Sequence, residues 1–128
     1  MEVKTGEVKA ISNLGRTEEG KYYERLNYAV GESHEPGSTF KLMSMIAALE
    51  DKVIDTNSIV DTEKGRWRIY DRTVRDSKHG GYGKITASEA FAVSSNTAFA
   101  KIIHENYNEN PERYVTRLMN MGLHKNLG

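Results

Sequence analysis

No cysteine occurs in the 128 residues. That absence excludes disulfide staples, thiolate nucleophiles and thiolate metal ligands, while leaving the redox compartment open. Excess charge of either sign is missing too: Lys plus Arg and Asp plus Glu both number 18. The composition therefore does not single out nucleic acid or an anionic membrane surface as a partner. No apolar run approaches the ~18 residues of a spanning helix, and the N-terminus lacks the pattern of a signal peptide. Internal repeats and low-complexity stretches are absent as well. What remains is an apolar fraction of 38% with 11 glycines, enough for one modest core.

The opening residues alternate around Lys4-Thr5-Gly6-Glu7, which predicts a tight hairpin with strands at Met1–Val3 and about Glu7–Ser12. Residues 13 to 37 are polar and irregular, a long loop in which Tyr22, Tyr23, Leu26 and Tyr28 are expected to pin one part, as a short helix. From Ser38 to Glu50 apolar residues cover nearly the whole circumference of a helix, predicting burial on most sides. Pro36 bars helix behind that run, and Gly37 lets the backbone turn into it. A small hairpin is expected from Arg66 to Arg75, turning at Asp71-Arg72. Thr86 with Glu89 reads as a capping box for a helix to about Val93. Further helices run from Asn96 or Thr97 to His104, and from Pro111, capped by Asn110, to a stop at Met121-Gly122-Leu123. The expected class is α/β, dominated by helices, with too few strands to close a sheet.

Chemistry concentrates at two places. Ser38 and Lys41 lie one helical turn apart, so a hydroxyl and an amine share a face and can exchange a proton. Serine is a weak nucleophile and needs such a neighbour to attack a carbonyl at neutral pH. Lys41 stands in an apolar run, where an amine must be paired or neutral; a neutral amine is a general base. At a helix start Ser38 also has unpaired N–H groups and a dipole that favours a developing oxyanion. A bare Ser-x-x-Lys spacing has an ordinary reading too, a capping serine and a solvated lysine. The second place is the polar triplet Ser94-Ser95-Asn96, between two helices.

Glu35-Pro36-Gly37-Ser38-Thr39-Phe40-Lys41, with Val93-Ser94-Ser95-Asn96-Thr97 behind it, resembles the transpeptidase domain of penicillin-binding proteins. Asn27-Tyr28-Ala29 and Val3-Lys4-Thr5-Gly6-Glu7-Val8 extend the likeness over nearly the whole chain, toward the high-molecular-weight class B members of cell division or elongation. The resemblance implies that Ser38 is acylated by the D-Ala-D-Ala end of a peptidoglycan stem peptide, or by a β-lactam. Lys41 would take its proton, Ser94 would pass that proton to the leaving amine, and Asn96 would hold Lys41 and the substrate amide. Ser95 would point elsewhere, and the backbone N–H of Ser38 would supply half an oxyanion hole. No cofactor or metal is implied.

The fold so implied is β-lactamase/transpeptidase-like, here a helix-rich fragment with a truncated antiparallel sheet. Residues 1–128 would be the N-terminal part of that domain, without its later strands or its third motif, Lys-Thr-Gly, expected beyond Gly128. Lys4-Thr5-Gly6 spells that motif but precedes Ser38 and reads as a turn. The His79-Gly80-Gly81-Tyr82-Gly83 loop is a candidate border of the cleft. The fragment is expected to be inactive and prone to self-association. Its parent would sit in the inner membrane by one N-terminal span, with this domain periplasmic, among other cell-wall or divisome proteins and with no nucleic acid. Alternatives are a β-lactamase or β-lactam sensor of the same superfamily, or a non-catalytic scaffold. The Ser-Ser-Asn triplet favours the penicillin-binding branch, since class A β-lactamases carry Ser-Asp-Asn.

Overall fold

The computed structural model describes residues 1–126, in two compact units, Met1–Glu35 and the chain from Pro36. In the first unit, Gly6 donates to the Glu2 carbonyl (2.8 Å) and Glu2 to that of Glu7 (2.9 Å), closing a turn through Lys4 and Thr5. The expected strands at Met1–Val3 and Glu7–Ser12 do not form. Residues 1 to 12 are all exposed, so neither strand has an apolar surface to lie on. The ladder appears later, between β1 (Leu14–Arg16) and β2 (Tyr22–Glu24), paired Gly15 to Tyr23. Thr17 accepts from Gly20 through its carbonyl and from Lys21 through Oγ1, which makes the intervening turn. Asn27 then caps a short helix α1 (Tyr28–Gly31).

The second unit opens with Gly37 at φ +58°, a conformation that favours glycine, and a 3-10 turn over Gly37–Phe40. That turn runs into α2 (Lys41–Glu50). Next come β3 (Ile59–Asp61), β4 (Arg66–Ile69), β5 (Arg72–Arg75) and β6 (Lys84–Thr86). Three helices finish the unit: α3 (Ala87–Ala92), α4 (Asn96–Tyr107) and α5 (Pro111–Asn120). β3 pairs antiparallel with β6, and β4 with β5. The β4–β5 turn is Tyr70-Asp71, one residue earlier than expected, because Arg72 pairs with Ile69. The capping box on α3 and the Asn110 cap with Pro111 on α5 form as the sequence predicts. α4 runs three residues past His104, to a buried Tyr107.

Alanine decides how α2, α3 and α4 meet. Ala47, Ala48, Ala87, Ala90 and Ala98 are wholly buried, so the helices approach closely. Val60, Ile102, Met45 and Phe99 fill the space between them and the β3–β6 pair. α2 is less enclosed than its composition predicts. Leu42 and Ile46, one turn apart, are 44% and 36% exposed, so one flank of the helix faces outward.

Asp51, at the C-terminal end of α2, fastens the later helices. Tyr107 donates to Oδ2 (2.9 Å), Arg117 to Oδ1 through Nε (3.0 Å) and Arg113 to the Asp51 carbonyl (2.9 Å). Burial alone would raise the Asp51 carboxyl. Hydrogen bonds from Arg117 and Tyr107, with both guanidinium charges, outweigh it and hold the group below the usual carboxylate range. Burial and the same Asp51 contact push the Tyr107 phenol up to about 12. No helix among the described residues is long and apolar enough to cross a membrane.

Candidate active site

Four elements of the second unit converge on one amine. Lys41 is the first residue of α2, and its Nζ stands 3.3 Å from Ser38 Oγ, one turn back. From the loop between α3 and α4, Ser94 brings its hydroxyl to 2.9 Å and its carbonyl to 2.6 Å of the same nitrogen. Asn96, the first residue of α4, places Oδ1 at 2.5 Å. All four residues singled out in the sequence therefore meet at one point. Lys4 lies in the turn of the first unit.

The chemistry of each contact is fixed by what it can donate. The Ser94 carbonyl only accepts. Asn96 donates its amide N–H to the Arg75 carbonyl (2.9 Å), an acceptor only, so its Oδ1 must face the lysine. Two of the amine's protons are thereby committed. The third position faces hydroxyls, which can donate or accept. A neutral Lys41 would present its lone pair there and receive a serine proton; a charged one would donate its third proton instead.

Electrostatics favour the neutral form more than for a free lysine. No carboxylate lies within ion-pair distance of Lys41 among the described residues. Burial pushes its amine below the ordinary lysine value, and the more distant charge of Asp76 only partly offsets this. The Phe99 ring, 5.9 Å from Nζ, closes the inner side.

The positions of Ser94 and Asn96 depend on residues that sequence reading missed. Asp76 Oδ1 accepts from Ser95 Oγ (3.0 Å) and from the Thr97 N–H (2.9 Å). Ser95 Oγ in turn accepts from Ala98, capping α4 (3.0 Å). Ser95 is 1% exposed and points away from Lys41, so the triplet turns its outer members toward the amine and its middle one inward. The turn is sharp: Ser94 has φ +54°, a left-handed conformation that costs a non-glycine residue roughly 1–2 kcal/mol. Nothing in the periodicity around Arg75-Asp76 marks these residues. Only the folded hairpin delivers them to the start of α4.

Residues 1–125 match the family described as the penicillin binding protein transpeptidase domain. Among curated proteins, the chain is 30% identical over 109 residues to Stage V sporulation protein D of Bacillus subtilis, covering 80% of this chain and 17% of that protein. It is 29% identical over 129 residues to Penicillin-binding protein PbpB of Mycolicibacterium smegmatis, covering 96% and 19%. A shorter likeness, 34% over 82 residues, covers 60% of this chain and 16% of Peptidoglycan D,D-transpeptidase PbpA of the same organism. The chain thus spans less than a fifth of the length of these relatives. A profile match over almost every residue decides the matter: the chain belongs to the penicillin-binding protein transpeptidase domain family.

Proposed function

We propose that the chain carries the nucleophile side of a serine acyl-transfer site in a peptidoglycan D,D-transpeptidase of the class B kind. The observation that supports this most is the Lys41 amine held among four neutral oxygens, with no carboxylate at ion-pair distance among the described residues. Ser38 Oγ attacks the carbonyl of the penultimate D-alanine as its proton passes to Lys41 Nζ. The carbonyl π pair moves to oxygen, giving a tetrahedral oxyanion near the start of the 3-10 turn. Collapse breaks the C–N bond, and the leaving D-alanine amine takes a proton from Lys41 by way of the Ser94 hydroxyl. An acceptor amine then attacks the serine ester, and the same proton path runs in reverse. A β-lactam enters at the first step and stays as the ester.

The second oxyanion donor and the Lys-Thr-Gly wall belong, on this reading, to residues outside the chain. Loss of one such donor typically costs about 3 kcal/mol of transition-state stabilisation. The parent is proposed to be held in the inner membrane with this domain on the periplasmic side, working with other cell-wall proteins. Fluorescent penicillin labelling tests the assignment. The full-length parent should label stoichiometrically and lose the label in Ser38→Ala, while the 128-residue chain should stay unlabelled. A parent that labels equally well as Ser38→Ala would sink it.

A further inference from the structure

β4 and β5 place Arg66 directly opposite Arg75. Like charges facing each other across a ladder repel, and neither guanidinium is in an ion pair among the described residues. The two arginines line a cavity of about 400 Å³ together with Lys64, Lys78 and His79. Its one carboxylate, Asp76, is turned into the protein: Oδ1 serves Ser95 and Thr97, and Oδ2 is buried. Two arginines and two lysines therefore line an opening whose one lining carboxylate is turned away from it, in a chain whose net charge is zero.

The wall is built rather than loose. Gly65 and Gly81 cross so closely that a Cβ on Gly81 would lie 2.2 Å from the Gly65 nitrogen. The Asp76 N–H donates to the Gly65 carbonyl (3.0 Å), and Tyr82 N–H to Thr62 Oγ1 (2.9 Å). Lys78 lies over the Tyr82 ring, 5.0 Å from its centre. The ladder sets the Cα atoms of Arg66 and Arg75 opposite each other, and each guanidinium can offer a carboxylate two parallel N–H groups. The cavity also adjoins the amine cluster, because the Arg75 carbonyl orients Asn96 and Asp76 caps α4.

We propose that this cavity is a subsite for a side carboxylate of the peptide substrate, separate from the carboxylate at the peptide's end. The anion-binding claim stands on the cavity; the peptide's identity rests on the acyl-transfer reading above. The test titrates this chain with N-acetyl-γ-D-glutamyl-L-lysyl-D-alanyl-D-alanine and with its isoglutamine counterpart, in which the side carboxylate is an amide. The acid should bind about tenfold tighter at low ionic strength, as expected for one charge-assisted pair. That ratio should fall toward one in the double variant Arg66→Gln, Arg75→Gln and in 1 M salt, and it should survive Ser38→Ala. Equal affinities, no binding of either peptide at millimolar concentration, or a ratio that the double variant leaves intact would each overturn the proposal. So would uptake of inorganic pyrophosphate without any preference between the peptides. A preserved ratio in a parent that penicillin fails to label would sink the transpeptidase reading and leave the carboxylate subsite standing.

Discussion

Two lysines of the second unit have contrasting surroundings. Lys41 and Lys101 each lie within 6 Å of an aromatic ring centre, Phe99 for the first and Trp67 for the second. Lys101 is 8% exposed, donates to the Asp61 carbonyl (2.8 Å) and pairs with Glu63 Oε1 at 2.6 Å. Among the described residues, Lys41 finds only neutral oxygens. The amine given a carboxylate pins two elements together, here α4 and the residues after β3. An amine denied one keeps its protonation adjustable. The contrast separates fastening from chemistry within one core, and it can be broken or sharpened experimentally.

The widest separation should come from exchanging each amine for a methyl thioether. In the full-length parent, Lys41→Met should slow penicillin acylation by about 10²–10⁴-fold, the range for losing a general base. Lys101→Met should leave acylation per folded molecule unchanged. Stopped-flow acylation read beside thermal unfolding makes the comparison, and a slow Lys101→Met enzyme that is fully folded would break it.

Asp51 extends the fastening class to an acid. Asp51→Ala strands the Tyr107 hydroxyl and the Arg117 guanidinium, so denaturant unfolding should show a loss of about 3 kcal/mol, moderated because the arginines are partly solvated. Its folded pKa is depressed, so the contribution is present above the unfolded carboxyl value and disappears as pH falls through the folded one. Wild type should therefore lose stability on acidification more steeply than Asp51→Asn. Parallel acid titrations would contradict this.

Removing the Lys101 amine should cost about 1–2 kcal/mol, since the Asp61 carbonyl loses its donor while Glu63, half exposed, stays hydrated. For Lys41 the sign reverses. Its folded pKa lies below the unfolded value, so its charge opposes folding below the folded pKa. That opposition lifts as pH rises toward the unfolded value. Wild type should gain stability relative to Lys41→Met between neutral and alkaline pH, and a falling difference would refute the neutral-amine picture.

The smallest effect concerns Ser94. Glycine relieves the left-handed strain and alanine keeps it, so Ser94→Gly should be about 1 kcal/mol more stable than Ser94→Ala, with both lacking the hydroxyl. Equal melting midpoints would show that the loop relaxes instead.

The nearness of Ser38 and Lys41 was legible in the sequence because they share a helical turn, whereas the arrival of Ser94 and Asn96, 53 and 55 residues beyond Lys41, was legible only through the family resemblance. Caps at Thr86 and Asn110 were legible as Ser38 and Lys41 were: their partners are three residues away. What could not be read was set by distance along the chain. The β3–β6 pair joins Val60 to Ile85, two short segments with no alternation to mark them. The hairpin expected at Met1 failed because alternation predicts a face without showing what will cover it. The partner of Lys101 was equally hidden, since Glu63 lies 38 residues back.

Ser95 has a consequence for reading the motif itself. Its hydroxyl donates a hydrogen bond to Asp76, nineteen positions earlier, and accepts one from the Ala98 N–H. An aspartate there, as in the Ser-Asp-Asn form, would set two acids face to face. The middle letter of the triplet is therefore spelled by a residue outside it, and swapping motif variants between proteins means moving both members of that couple.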